Sequence, residues 1–222
     1  MEDSTLIIYL AVLVVELGAT ITGMVLFFNK NSNLLPKIVT LGIMSLTAGR
    51  FYALLVYWLM DVSVAGFSLA YLGYLAFYLF MCTNYTGIQV ISIDHPTDPC
   101  AARKKKTLPK ILSLIIPFFM FAIAVISCLG GSFNVTFVVT MIIMTFPALF
   151  VAYKAMLNAI STSSGWRRTA HLSELIMVVI IHFGVTFMLD ETTVTIHALL
   201  TVEALLCWVI IVAVRKECKR FE

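Results

Sequence analysis

The sequence consists of long apolar stretches separated by short polar connections, and few folds accommodate such a pattern. Residues 5–28, 38–60, 66–93, 109–130, 133–153, 169–189 and 193–214 are seven stretches that each match a bilayer. A helix needs about 20 apolar residues to cross a hydrocarbon core of roughly 30 Å. Helices are the default solution because a spanning segment must satisfy every N–H and C=O internally. The stretches do not alternate apolar and polar residues, which argues against a transmembrane barrel. Only 12% of the residues are charged, about half the usual share in a soluble domain. The expectation is an all-α, polytopic membrane protein: a bundle of seven transmembrane helices forming one domain over residues 1–222.

Charge placement orients the bundle. With the N-terminus outside, the inner segments are 30–37, 94–110, 154–168 and the tail from Arg215. These four hold every lysine and arginine except Arg50, whereas Glu2, Asp3, Asp61, Asp190 and Glu191 lie outside without a basic neighbour. Basic residues on the cytoplasmic side set topology, so the C-terminus is expected in the cytoplasm. Met1–Thr5 is acidic and lacks the basic start of a cleavable signal peptide, and the first helix is expected to remain as an anchor. The run Arg103, Lys104, Lys105 and Lys106 fits a topology determinant that meets anionic headgroups. Lipids are therefore expected partners, and nucleic acid is not. Cys82 and Cys207 fall inside helices, Cys100 and Cys218 on the reducing side, and only Cys128 approaches the outer face. No disulfide outside the membrane is expected within one chain.

Arg50 interrupts the run Leu46–Leu55 near the middle of the second helix. Glu16 lies about eleven residues from the outer end of the first helix, and Arg50 and Glu203 lie about ten from theirs, at roughly 1.5 Å per residue. All three therefore reach the midplane, where an ionised side chain costs about 2.5–3.5 kcal/mol on insertion scales. The first two helices are antiparallel neighbours, and in a seven-helix ring the last closes on the first. A Glu16–Arg50 pair with Glu203 as second partner follows, since one guanidinium offers five donors to two carboxylates. The count leaves one negative charge in excess, so a glutamate holds a proton or a cation or water joins. Structural clamp, switch and transport site all remain open at this point. On the first helix, Ala19, Thr20 and Gly23 give a small-residue face suited to close approach.

Helix three carries Tyr71, Tyr74, Tyr78, Tyr85 and Gln89 in a stripe about 60° wide at 100° per residue. Such a stripe fits interior packing with partnered hydroxyls, or a pocket for a small amphipathic ligand. In helix six, Glu174 lies near the inner end, within reach of headgroups, Arg167 or Arg168. His182 is deeper, and it joins the intramembrane network if it faces Glu203. Pro117 and Pro147 are expected to bend helices four and five. With every lysine in a cytoplasmic segment, none is available for a retinal Schiff base, and no Walker, HExxH, GxSxG or CxxC motif occurs. Neither an enzymatic activity nor a cofactor nor a metal site is expected.

Tyr71-Leu72-Gly73, then Asn84-Tyr85-Thr86-Gly87, a basic loop, and Leu114-Ile115-Ile116-Pro117 follow an order that resembles the seven-helix N-terminal sensor region of bacterial histidine kinases. The short outer loops, Trp166-Arg167-Arg168 and the basic exit of helix seven are similar too. The resemblance implies a receptor-like module in a prokaryotic plasma membrane that senses something in or near the bilayer and passes it inward through helix seven. The sequence departs from that family at Glu222, without a coiled coil, phosphoacceptor region or ATP-binding domain. Output is therefore expected through a protein partner on the cytoplasmic side or in the membrane, with the oligomeric state open. The alternative is a small transporter of a solute or ion that uses the same midplane Glu/Arg network.

Overall fold

The computed structural model describes residues 3–28, 33–60, 69–94, 107–130, 135–162, 165–187 and 194–218. Among them the regular structure is entirely helical: α1 (Asp3–Phe27), α2 (Leu34–Met60), α3 (Leu69–Asp94), α4 (Thr107–Ser113), α5 (Ile115–Gly130), α6 (Val135–Ser161), α7 (Gly165–Phe187) and α8 (Val194–Cys218). Among the described residues six segments are long and apolar enough to cross a membrane: Leu6–Phe27, Leu34–Leu59, Leu108–Leu129, Val138–Ser161, Gly165–Phe187 and Val194–Cys218. Helix α3 is 26 residues long, but its tyrosines, Thr83, Asn84 and Thr86 lower its apolarity. The basic run 103–106 lies outside the described residues, as does the side chain of Gln89.

The fourth and fifth stretches depart most from the sequence expectation, while α2 and α7 start, and α8 ends, four residues beyond the expected bounds. The fourth stretch is divided at Leu114 into α4 and α5. Pro117 has no N–H to donate to the preceding turn. Leu114 N–H bonds instead to Ile111 O at 3.1 Å, and Ser113 Oγ donates to Pro109 O at 2.6 Å. Pro147, by contrast, sits within an unbroken α6. That helix continues to Ser161, through much of the segment assigned to an inner loop. Leaving the bilayer does not end a helix, and Lys154-Ala-Met-Leu-Asn-Ala contains no breaker before Ser161-Thr162.

Packing follows a closed path through α1, α2, α3, α6, α7 and α8, and α8 returns to α1. The broken α4–α5 segment lies outside this path, against α6 and α7, so α3 meets α6 directly. Only 22% of its spanning stretch is buried, compared with 61% for α7. Small residues permit the closest approaches. A Cβ on Gly73 would meet Ser45 O at 2.7 Å and Gly49 Cα at 2.8 Å, so α2 and α3 touch backbone to backbone. Ser45 Oγ also donates to Gly73 O at 3.2 Å. The small face of α1 lies against α2 and α8: a Cβ on Gly23 would come within 2.8 Å of Thr40 and 2.9 Å of Ile211.

Candidate functional site

The Gly49–Gly73 crossing carries Arg50 of α2 and Tyr74 of α3 into the interior together. Arg50 Nε reaches Glu16 Oε1 at 3.0 Å and Oε2 at 3.1 Å, tying α2 to α1. Its Nη2 lies 2.8 Å from Glu203 Oε1, an ion contact to α8 whose angles are not those of a hydrogen bond. The side chains of Arg50, Glu16 and Glu203 are 4%, 0% and 3% exposed. The structure therefore brings together Glu16, Arg50 and Glu203, the three residues expected to pair. Tyr9 and Tyr74 lie within electrostatic reach of the guanidinium.

Apolar and hydroxyl-bearing layers enclose this ionic layer. One turn towards the N-terminus of α1, the C-terminus of α2 and the N-terminus of α8, the residues Val12, Leu13, Leu54 and Leu200 join Tyr9 in a buried apolar cluster. One turn the other way are Ala19, Thr20, Thr47 and Cys207, all buried. Thr47 Oγ1 donates to Ile43 O at 3.1 Å, so the single remaining proton of the pair runs from Thr20 to Thr47 across 3.0 Å. Trp208 Nε1 donates to Val15 O at 3.0 Å, and the indole lies against Gly18, fastening α8 to α1 beside the triad.

His182 does not join the triad in any hydrogen bond or ion pair among the described residues. Its Nε2 faces Met120 O of α5 at 3.3 Å, while Nδ1 is buried without a partner. Thr186, one turn on, accepts Ser127 Oγ at its backbone carbonyl at 2.8 Å. Histidine and threonine thus fasten α7 to the outlying α5.

The tyrosine stripe faces inward, but its members meet different surroundings. Tyr71 and Tyr74 are half-buried, with ring centroids 6.3 Å apart. Tyr78 is fully buried, and its hydroxyl has no partner. Tyr85, also buried, donates to Glu174 Oε2 and lies 3.1 Å from His171 Nδ1. Glu174 is 1% exposed, so it turns into the protein rather than towards headgroups. His171 completes this second buried cluster, with Nδ1 3.5 Å from Glu174 Oε2. Sequence reasoning missed His171. The available signal was its i,i+3 spacing from Glu174, which places both on one face of α7, at a depth that Tyr85 reaches on α3.

Tyr85→Phe will remove the donor while leaving Glu174 buried. A lost partner of this kind costs about 1–3 kcal/mol, and more when the group is charged. Denaturant titration in mixed micelles is expected to show that loss. Tyr71→Phe, away from the Glu174 cluster, serves as the comparison.

Comparisons of the chain with protein-family models, curated proteins and solved structures find no match. The class therefore rests on the fold and its interior: a multi-pass helical membrane protein built around a buried Glu–Arg–Glu cluster.

Proposed function

We propose that the protein is a seven-span, N-outside and C-inside receptor-like module that signals through a protein partner at its cytoplasmic face or in the membrane. The observation carrying this reading is the placement of Arg50, which ties α8 to both α1 and α2 through buried charge. A rearrangement of the triad must shift α8 relative to its neighbours, because buried ion pairs tolerate little misalignment. Helix α8 runs without interruption from Glu203 to Arg215 and Lys216. At that end Lys216 Nζ lies 4.0 Å from the centroid of the Trp166 ring at the start of α7, so the two helix ends are coupled. The longer reach of α6 and α8 beyond the apolar stretches adds surface for a partner on the basic side.

Cross-linking in native membranes, followed by mild affinity purification and mass spectrometry, tests the reading. A stoichiometric kinase, regulator or membrane partner is expected. Recovery of the chain alone at normal expression would overturn it. A second reading, transport of a small polar solute or ion, draws support from unpartnered buried polar atoms on three helices: Tyr78 Oη, Thr145 Oγ1, His182 Nδ1 and Thr186 Oγ1. It requires flux in proteoliposomes that disappears in Glu203→Gln.

A further inference from the structure

We infer that the Glu16–Arg50–Glu203 cluster binds one proton, carried by Glu203, and that this proton is the species the membrane core senses. The inference rests on the receptor-like reading and supplies its ligand.

The charge count comes first. Fully ionised, two carboxylates and one guanidinium leave a net negative charge at side chains 0–4% exposed. Among the described residues, Arg50 is the cation that acts on both glutamates; His197 of α8, two turns from Glu203, has a buried Nε2 without a partner and is not among the charges acting on either. α1 contributes Tyr9 and Thr20, α2 contributes Thr47, α3 contributes Tyr74 and Tyr78, and α8 itself contributes Cys207. Helix α7, packed on α8, carries three titratable groups in its interior. His171 and Glu174 are engaged with Tyr85, and His182 with Met120 O. A lone net charge in a dry interior is expensive, and a carboxylate escapes that cost by taking up a proton. Neighbouring carboxylates in one site hold a single proton for the same reason. The step requires no co-reactant: one O–H bond forms on the carboxylate, and the reverse step returns the proton to water.

Geometry then distinguishes the two glutamates. Glu16 presents both oxygens to Arg50 Nε, at 3.0 and 3.1 Å, as an acceptor-only carboxylate does. Glu203 meets Nη2 through an ion contact at Oε1, 2.8 Å long and without hydrogen-bond alignment, so it is the less firmly held of the two carboxylates and the one that takes the proton.

Infrared absorption of the full chain in lipid nanodiscs, unlabelled and with carbon-13 glutamate, tests this directly. At neutral pH a protonated carboxyl band that moves with the label is expected. It should vanish in Glu203→Gln and equally in Glu16→Gln, because either substitution leaves one carboxylate for one guanidinium. Glu174→Gln should retain it. No label-sensitive acid band in the wild-type protein would overturn the inference, even if every variant misfolded. A band that survives both Gln substitutions at the triad, or that Glu174→Gln alone removes, would do the same. The measurement needs no partner: a chain with the band and no partner loses the receptor reading alone, and a chain with a partner and no band loses the proton alone.

Discussion

Arg50→Ala will destabilise the folded protein by about 3–5 kcal/mol, the range for breaking a buried ion pair from one side. The loss exceeds that of an ordinary core truncation because two carboxylates remain facing each other at side chains 0–3% exposed. Combining Arg50→Ala with Glu16→Gln removes one of those orphans and is expected to recover part of the loss. Denaturant titration in mixed micelles, run on both single variants and the double variant, gives the coupling between them. Residues in one network couple by about 0.5–3 kcal/mol. Additive effects would mean that Arg50 and Glu16 do not act as a pair. Arg50→Lys is not expected to rescue, since an ammonium lacks the planar fork that meets Glu16 through Nε and Glu203 through Nη2.

The second large effect is expected at Gly73. An added methyl there would meet the backbone of α2, with Ser45 O at 2.7 Å and Gly49 Cα at 2.8 Å. Backbone cannot rotate away, so Gly73→Ala must push α2 and α3 apart. Overpacking of this kind costs about 1–3 kcal/mol. Gly42→Ala provides the contrast: its nearest obstacle, at 2.7 Å, is Met81 Cε, the tip of a flexible side chain. The same titration should show a clear loss for Gly73→Ala and a smaller one for Gly42→Ala. Equal losses would mean that the α2–α3 crossing is not set by backbone contact. Because Arg50 and Tyr74 each follow one of the two touching glycines, the Gly73 variant also loosens the triad.

The parts of this site that were legible in the sequence were those governed by solvent. A charge at the midplane must be paired, and residue counting put Glu16, Arg50 and Glu203 at one depth, so their meeting followed once the first two helices were taken as antiparallel and the last as closing on the first. The inner cluster was less legible. Glu174 reads as a headgroup-facing residue when helix six is started at 169, and His171 then lies in its first turn. Their burial depends on α3 bringing Tyr85 against α7, a tertiary neighbour relation that periodicity does not contain. The position of α4–α5 outside the closed path was hidden for a related reason. An apolar stretch is equally at home against protein or lipid, so hydropathy does not say which spans are peripheral. Its break at Leu114 was visible as Pro117, whereas Pro147 gave the same signal within a helix that stays continuous. His182 shows the limit of depth alone: reaching the interior does not determine which neighbour a side chain meets.

A helix α8 that reports the charge state of the triad must move when that charge changes. The most direct test is the distance between spin labels placed at Val25 of α1 and Arg215 of α8, both exposed and on the same side of the bundle. The labelled protein, with its accessible native cysteines replaced, would be measured in nanodiscs at neutral and alkaline pH. The distance distribution is predicted to shift as alkali removes the shared proton and the two carboxylates repel, and to return on acidification. Glu203→Gln should hold the neutral-pH distribution at both values. An unchanged wild-type distribution, or the same shift in Glu203→Gln, would contradict the account.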